Sequence, residues 1–141
     1  EPGYHFKVAT LPAIVLLKLI AFDDGPEKRY EDARDIANII GSYFDLQADL
    51  IYSSHSDLFL ESEEKMAATS LPEISATVIG REIKRIAQGN LTLINRLDKI
   101  VEQHITLAED SSFIRNMVEE SGETVIETLK WINALLKGLR E

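Results

Sequence analysis

The chain predicts a mainly α fold, a helical hairpin followed by a helical bundle, with at most one short N-terminal strand. Three observations lead there. Apolar residues recur at the helical period through most of the length. Capping residues stand where those periodic stretches begin, and glycine or proline where they end. Only one stretch, Tyr4 to Val8, alternates as a strand does.

Taken in order, Thr10 caps a first helix with Pro12 near its start, and Leu11 to Phe22 is apolar except for Lys18. A run apolar on nearly every side reads as a buried helix. A lysine inside it must reach the surface or meet an anion. The turn Asp23-Asp24-Gly25-Pro26 reverses the chain, and a second helical pattern runs from Glu27 to about Gly41. A short helix is expected at Leu46 to Tyr52, a break at Ser53 to Ser56, and a further short segment from Asp57 that fades into the acidic run Glu61 to Lys65. Ser70-Leu71-Pro72-Glu73 spells a capping box, and the helix it opens carries Ile79, Ile83, Ile86 and Ala87 on one face. Gly80 inside that helix costs stability against alanine, which points to close packing there. Leu91 to about Ile105 forms the next helix and Phe113 to Val118 a shorter one. The last runs from Glu123 to about Lys137, ended by Gly138, with Val125, Ile126, Leu129, Ile132, Leu135 and Leu136 as its apolar seam. Trp131 falls off that seam and is expected to cover a second surface. The division reads as residues 1–60 for the hairpin part, 61–70 as a charged linker and 71–141 for the bundle.

Composition bounds the possibilities. With 141 residues, 45% hydrophobic and 28% charged, the chain can bury a real core as one domain or as a substantial part of a larger one. The absence of cysteine removes disulfides, thiolate metal sites and a cysteine nucleophile. A net charge of −9 argues against a surface built mainly to hold nucleic acid by counterion release. The apolar run near the N-terminus is too short to span a bilayer and lacks a preceding basic stretch, so no membrane segment is expected and the location reads as cytoplasmic. His5, His55 and His104 have no partner at ligand spacing, so no metal site is expected among these residues; His104, on an apolar face, reads as a packed residue with one hydrogen bond. Arg81, Lys84 and Arg85 form a small basic patch that reads as a solvated helix face.

The second helix carries the functional argument. Advancing about 100° per residue, Ala33, Ile36, Ala37, Ile39 and Ile40 share one arc, with Glu31, Arg34 and Asn38 opposite. Asp32 projects inside the apolar arc, Arg29 at its centre and Asp35 at its edge. A carboxylate aimed at the core is costly unless paired. The hairpin therefore directs Lys18, Arg29 and Asp32 toward a common place. Taken alone, these residues read first as an ion pair that pins two helices.

Leu17-Lys18-Leu19-Ile20-Ala21, then Pro26-Glu27, then Arg29-x-x-Asp32-x-x-Asp35-Ile36, resembles the C-terminal motifs of the AbiEii/AbiGii-type nucleotidyltransferases. These belong to the polymerase-beta-like superfamily and include toxins of bacterial toxin–antitoxin systems. The likeness is densest from His5 to Phe59 and continues more weakly through Ile79-Gly80-Arg81-Glu82. It implies that the chain, which opens on Glu1-Pro2-Gly3, is the C-terminal part of a longer α+β nucleotidyltransferase, inactive without its N-terminal lobe. It further implies Lys18 and Asp32 as catalytic residues, Lys18 and Arg29 as nucleotide-binding residues and Asp35 as a supporting neighbour. The substrate would be an NTP, the acceptor an RNA or a protein, the partner an antitoxin, and the cofactor magnesium, bound mainly by carboxylates upstream of these residues. No Gly-Ser turn followed by Asp-x-Asp is present; Gly41-Ser42 comes closest, at a helix end. The family pattern is also broken at Gly25, where arginine is common, and at Glu31, where lysine is common; both changes remove positive charge. The alternative is a non-catalytic helical module that binds a protein partner through the apolar surface around Trp131 and the last helix.

Overall fold

The computed structural model describes residues 10–26, 29–59 and 70–141, and within them every regular element is helical. The strand expected at Tyr4 to Val8 lies outside the described residues, as does most of the expected 61–70 linker. Helix α1 (Leu11–Asp24) starts where Thr10 accepts a hydrogen bond from the Ala13 amide at 3.4 Å, with Pro12 in the first turn, where its missing N–H leaves no bond unmade. Helix α2 (Tyr30–Ser54) runs straight through Gly41 and bends at Gln47 (φ −128°, ψ 28°). The expected helix end at Gly41 and new start at Leu46 are therefore corrected. Gly41 faces solvent, while Ile40 and Tyr43 beside it are buried in the core. Burying those two side chains outweighs the roughly 1 kcal/mol that glycine costs against alanine.

A single 3-10 turn (Ser56–Phe59) follows His55. Helix α3 (Leu71–Ile86) opens with the expected capping box: Ser70 Oγ accepts from the Glu73 amide and the Glu73 carboxylate accepts from the Ser70 amide. Helix α4 (Leu91–Leu107) is capped by Asn90, and a 3-10 turn (Ala108–Asp110) leads to helix α5 (Ser112–Ser121), which Gly122 ends in the left-handed conformation at φ 74°. Helix α6 (Val125–Arg140), capped by Thr124, continues through Gly138 rather than stopping there.

One hydrophobic core takes side chains from all six helices, from Val15 and Phe22 of α1 to Leu135 and Leu139 of α6. The hairpin α1–α2 and the helices after residue 70 thus share it. Helix α3 is its axis: every residue from Ile74 to Gly80 is buried, including Ser75 and Thr77. Thr77 on α3 and Thr128 on α6 turn their hydroxyls back to the carbonyls of Glu73 and Thr124, both at 2.9 Å, which makes their burial affordable. The closest helix crossing joins α3 and α6, where Gly80 and Gly138 let the two backbones meet directly. A methyl group on Gly80 would overlap the Leu135 carbonyl and stand 2.8 Å from the Leu139 amide nitrogen; on Gly138 it would overlap the Thr77 carbonyl and stand 2.9 Å from the Arg81 nitrogen. The close packing expected at Gly80 is present.

This crossing rotates α6 so that Trp131, 4% exposed, faces the core, while Ile126 points to solvent at 72%. Trp131 therefore does not cover a second surface, and the interaction surface expected around it is absent. Its indole Nε1 donates to Glu127 Oε1 at 3.3 Å. Among the described residues no helix is long and apolar enough to cross a membrane.

Gly80→Ala should destabilise the fold by about 3 kcal/mol, because backbone rather than a movable side chain occupies the space. Gly41→Ala should stabilise it by about 0.5–1 kcal/mol, since alanine fits there and restricts the unfolded chain. Urea denaturation of the two variants measures both, and equal effects of the same sign would contradict the crossing.

Candidate functional site

The turn at Gly25 and Pro26 lays the C-terminal half of α1 beside the first turns of α2 and brings all four expected residues together. Lys18, the one charge between Leu11 and Phe22 of α1, extends toward the surface with its side chain 23% exposed. Its Nζ lies 2.8 Å from Asp35 Oδ2 and 3.5 Å from Asp32 Oδ1. Asp32, in the first turn of α2, is buried at 3% exposure, as its inward projection requires. There it meets the partial positive charge of the helix N-terminus. Arg29 grips it from the other side, Nε to Oδ2 at 2.8 Å and a terminal nitrogen to Oδ1 at 3.2 Å. That two-toothed contact, with Lys18 as a second cation, satisfies a carboxylate that would otherwise be expensive to bury.

Two details differ from expectation. Arg29 does not sit at the centre of the apolar arc, because the helix begins at Tyr30. As the N-cap residue (φ −124°, ψ 28°) it lies outside the helical repeat, with its side chain half exposed. Asp35, expected at the edge in a supporting place, is the closest partner of Lys18. The sequence does place it on that side, since three residues after Asp32 on a helix it lies one turn along, but not as the nearer of the two. Tyr30 and Glu31, not expected at the site, complete an open cavity of about 390 Å³ lined also by Lys18, Arg29, Asp32 and Asp35.

Charge sets what this corner can do. The hydrogen bond to Asp35 raises the Lys18 pKa above its ordinary value of 10.5; burial opposes that, and the charges of Asp35 and Asp32 add to it. Arg29 is likewise raised, by its hydrogen bond to Asp32 and by that group's charge. Lys18 and Arg29 are thus full cations at neutral pH, facing three carboxylates in the same cavity. Among the described residues no group of three or more histidine, aspartate or glutamate side chains is arranged to hold a metal ion. Asp32 and Asp35 are already engaged by cations and are not placed to hold a divalent ion; the magnesium that the resemblance implies would be bound mainly by carboxylates upstream of these residues.

The basic patch of α3 takes another form. Arg81 is enclosed by Asp57, at 2.6 and 2.9 Å, by Glu141 just after α6 and by His55 Nδ1 at 3.2 Å. Arg85 pairs with buried Glu82 at 2.6 Å. Arg81 is thus a tie between elements rather than a solvated charge, with partners 24 and 60 residues away, whereas Arg85 stays exposed and its pair with Glu82 lies within α3. His104 is packed as expected, with one hydrogen bond, between Nδ1 and Ser111 Oγ at 2.9 Å.

No protein-family model, no curated protein sequence and no solved structure matches this chain.

Because the folded protein holds the Lys18 proton more tightly than the unfolded chain does, the cluster stabilises the fold fully below pH 10.5 and loses that contribution as pH rises through the raised value. Followed by NMR of its side chain, Lys18 should titrate above 10.5, and Asp35→Asn should lower it more than Asp32→Asn. A larger effect from Asp32 would show that the shorter contact is not the dominant one.

Proposed function

We propose that this chain is the C-terminal portion of a cytoplasmic nucleotidyltransferase of the AbiEii/AbiGii type, which moves a nucleoside monophosphate from an NTP to an acceptor, and that the Lys18 corner handles the polyphosphate. The observation that supports this reading is a lysine Nζ shared between two carboxylates of the neighbouring helix at the wall of an open cavity. The two halves of the cluster differ in how firmly they hold. Lys18 and Asp35 form a partly exposed pair, and such pairs contribute about 0–1 kcal/mol. Opening the contact to Asp32 on the Arg29 side would strand a buried charge, at about 3–5 kcal/mol. Lys18 is therefore the movable cation. It can exchange Asp35 for phosphate oxygens at little cost and oppose charge developing on the leaving group. Asp32 and Arg29 stay in place and position it. The divalent metal of such chemistry has to be held by residues other than those described.

A non-catalytic helical module is the second reading, and one observation favours it: every charge in the cluster already has a partner, with carboxylates in excess. NTP titrations of the chain separate the two. Under the first reading, an NTP binds with a Kd of about 1 mM or tighter, Lys18→Met abolishes binding, and Asp35→Asn strengthens it by removing the competing anion. Under the second, no NTP binds to the wild type or to Asp35→Asn, and the nucleotide assignment falls.

A further inference from the structure

The contact between Arg81 and His55 has a fixed chemical sense. A guanidinium carries five N–H donors in one plane and no acceptor. In Arg81, Nε and one N–H of Nη2 go to the Glu141 carboxylate. The other N–H of Nη2 and one of Nη1 go to Asp57, at 2.6 and 2.9 Å. The last, on Nη1, meets His55 Nδ1 at 3.2 Å. Since the guanidinium can only donate, Nδ1 accepts and carries no proton. The neutral ring then holds its proton on Nε2, which faces Glu82 Oε1 at 3.4 Å.

His55 is 8% exposed, and its backbone is held as firmly as its ring. As the C-cap of α2 it donates its amide to the Ile51 carbonyl at 2.9 Å, and its own carbonyl accepts the Leu58 amide of the 3-10 turn at 3.1 Å. Among the described residues the charges that face the ring come from each element packed on it. Helix α3 supplies Arg81 and Glu82, with Arg85 behind Glu82 at 2.6 Å; the 3-10 turn supplies Asp57; Glu141 stands behind Arg81. The hydrogen bond from Arg81 holds Asp57 below the ordinary carboxylate range, and the same bond raises Arg81, so both are ionised at neutral pH.

Three carboxylates thus stand against two guanidinium groups, and the cluster as a whole does not oppose one more positive charge. Only the Arg81 N–H aimed at Nδ1 opposes it. Nδ1 has a single lone pair, which either receives that N–H or binds a proton of its own. Histidine is the side chain whose charge ordinarily changes between about pH 5 and 8. Once Nδ1 is protonated, two cationic donors point at each other and must part. The guanidinium is rigid and all its donors are engaged, so tilting Nη1 away also disturbs its bonds to Asp57 and Glu141.

We propose that the His55–Arg81 contact is a pH-sensitive latch. While the ring is neutral it ties the end of α2 and the 3-10 turn to α3 and to Glu141; a proton taken from solvent onto Nδ1 opens it. The latch shares no residue with the Lys18 corner and does not depend on the nucleotide reading.

Nitrogen-15 NMR of the whole chain, followed from about pH 8 to about pH 5, tests this. At the alkaline end the His55 ring should show a bare Nδ1 and a protonated Nε2. In the step where Nδ1 gains its proton, the Arg81 Nε–H signal and the amides of Asp57, Leu58 and Glu141 should shift together. Protection of the Leu58 amide, corrected for the pH dependence of intrinsic exchange, should fall at least about tenfold. The α3 amides from Val78 to Ile83 should keep theirs. His55→Asn leaves an acceptor where Nδ1 stands and has no proton to gain, so it should abolish the step; if that variant does not fold, the wild-type titration decides alone. The proposal fails if Nδ1 is protonated at the alkaline end, or if the ring gains no second proton by the acid end. It fails equally if the ring titrates while the Arg81 and Leu58 signals stay in place, if α3 loses protection along with Leu58, or if His55→Asn shows the same step.

Discussion

Two helix backbones touch at Gly80 and Gly138, and the placement of the other elements follows from that contact. Because no side chain separates them, α3 and α6 lie close enough for α3 to be enclosed on all sides, from Ile74 to Gly80. An enclosed helix must be small or apolar at every position. Ser75, Ala76, Thr77 and Gly80 meet that condition by size, and the threonine hydroxyl by bonding back to its own helix. The remaining sides of α3 are then covered by α1 and α2. The hairpin is thereby held against a rigid partner, and the Lys18 corner inherits its position from it.

Against that frame, the two charged corners of the molecule show how burial divides a structural cluster from an available one. Arg81 has two carboxylates from different parts of the chain around it, Asp57 of the 3-10 turn and Glu141 after α6, and it also meets the His55 ring at the end of α2. Its side chain is left 19% exposed, its partners come from distant parts of the chain, and releasing it would free the end of α6 and the end of α2 together. Lys18 also has two carboxylate partners, but both belong to one helix, and the more tightly held of its contacts is the more exposed one. Charge at the first corner is consumed in joining elements. At the second it can be redirected without separating any.

Much of the helical content was legible because it rests on short-range chemistry. Thr10, Ser70 with Glu73, and the seams of α4 and α5 are local signals, and each stands where its spacing predicted. The errors share a cause. Gly41 and Gly138 were read as helix ends, yet glycine stops a helix only where the following residues have nothing to bury; beyond Gly41 stands Tyr43, and beyond Gly138 stands Leu139. Trp131 was assigned to a surface because the seam of α6 was phased from Val125 and Ile126, which lie before the crossing with α3 and are not covered by it. No window within α6 contains that information, since the phase is set by a residue on another helix. The site shows the same division. The convergence of Lys18 and Asp32 followed from helix phase and one turn, whereas the rank of Asp35 over Asp32 as the nearer partner depended on how far α1 slides along α2, a tertiary quantity.

That sliding has a consequence for the chemistry. A lysine centred on Asp32 alone would share that buried carboxylate with Arg29 and could not turn to a ligand without leaving a partner that cannot follow it. Displacement by one turn toward Asp35 places the ammonium between a fixed carboxylate and a mobile one. The fixed partner keeps Lys18 from wandering, so little entropy is lost when an anion arrives, while the mobile partner can leave at a cost near that of an ordinary surface pair. An excess of carboxylate in the cavity works in the opposite direction, lowering affinity for any anion that arrives without compensating charge. The balance between those two effects, rather than the identity of the four residues, determines whether this corner is a brace or a binding site.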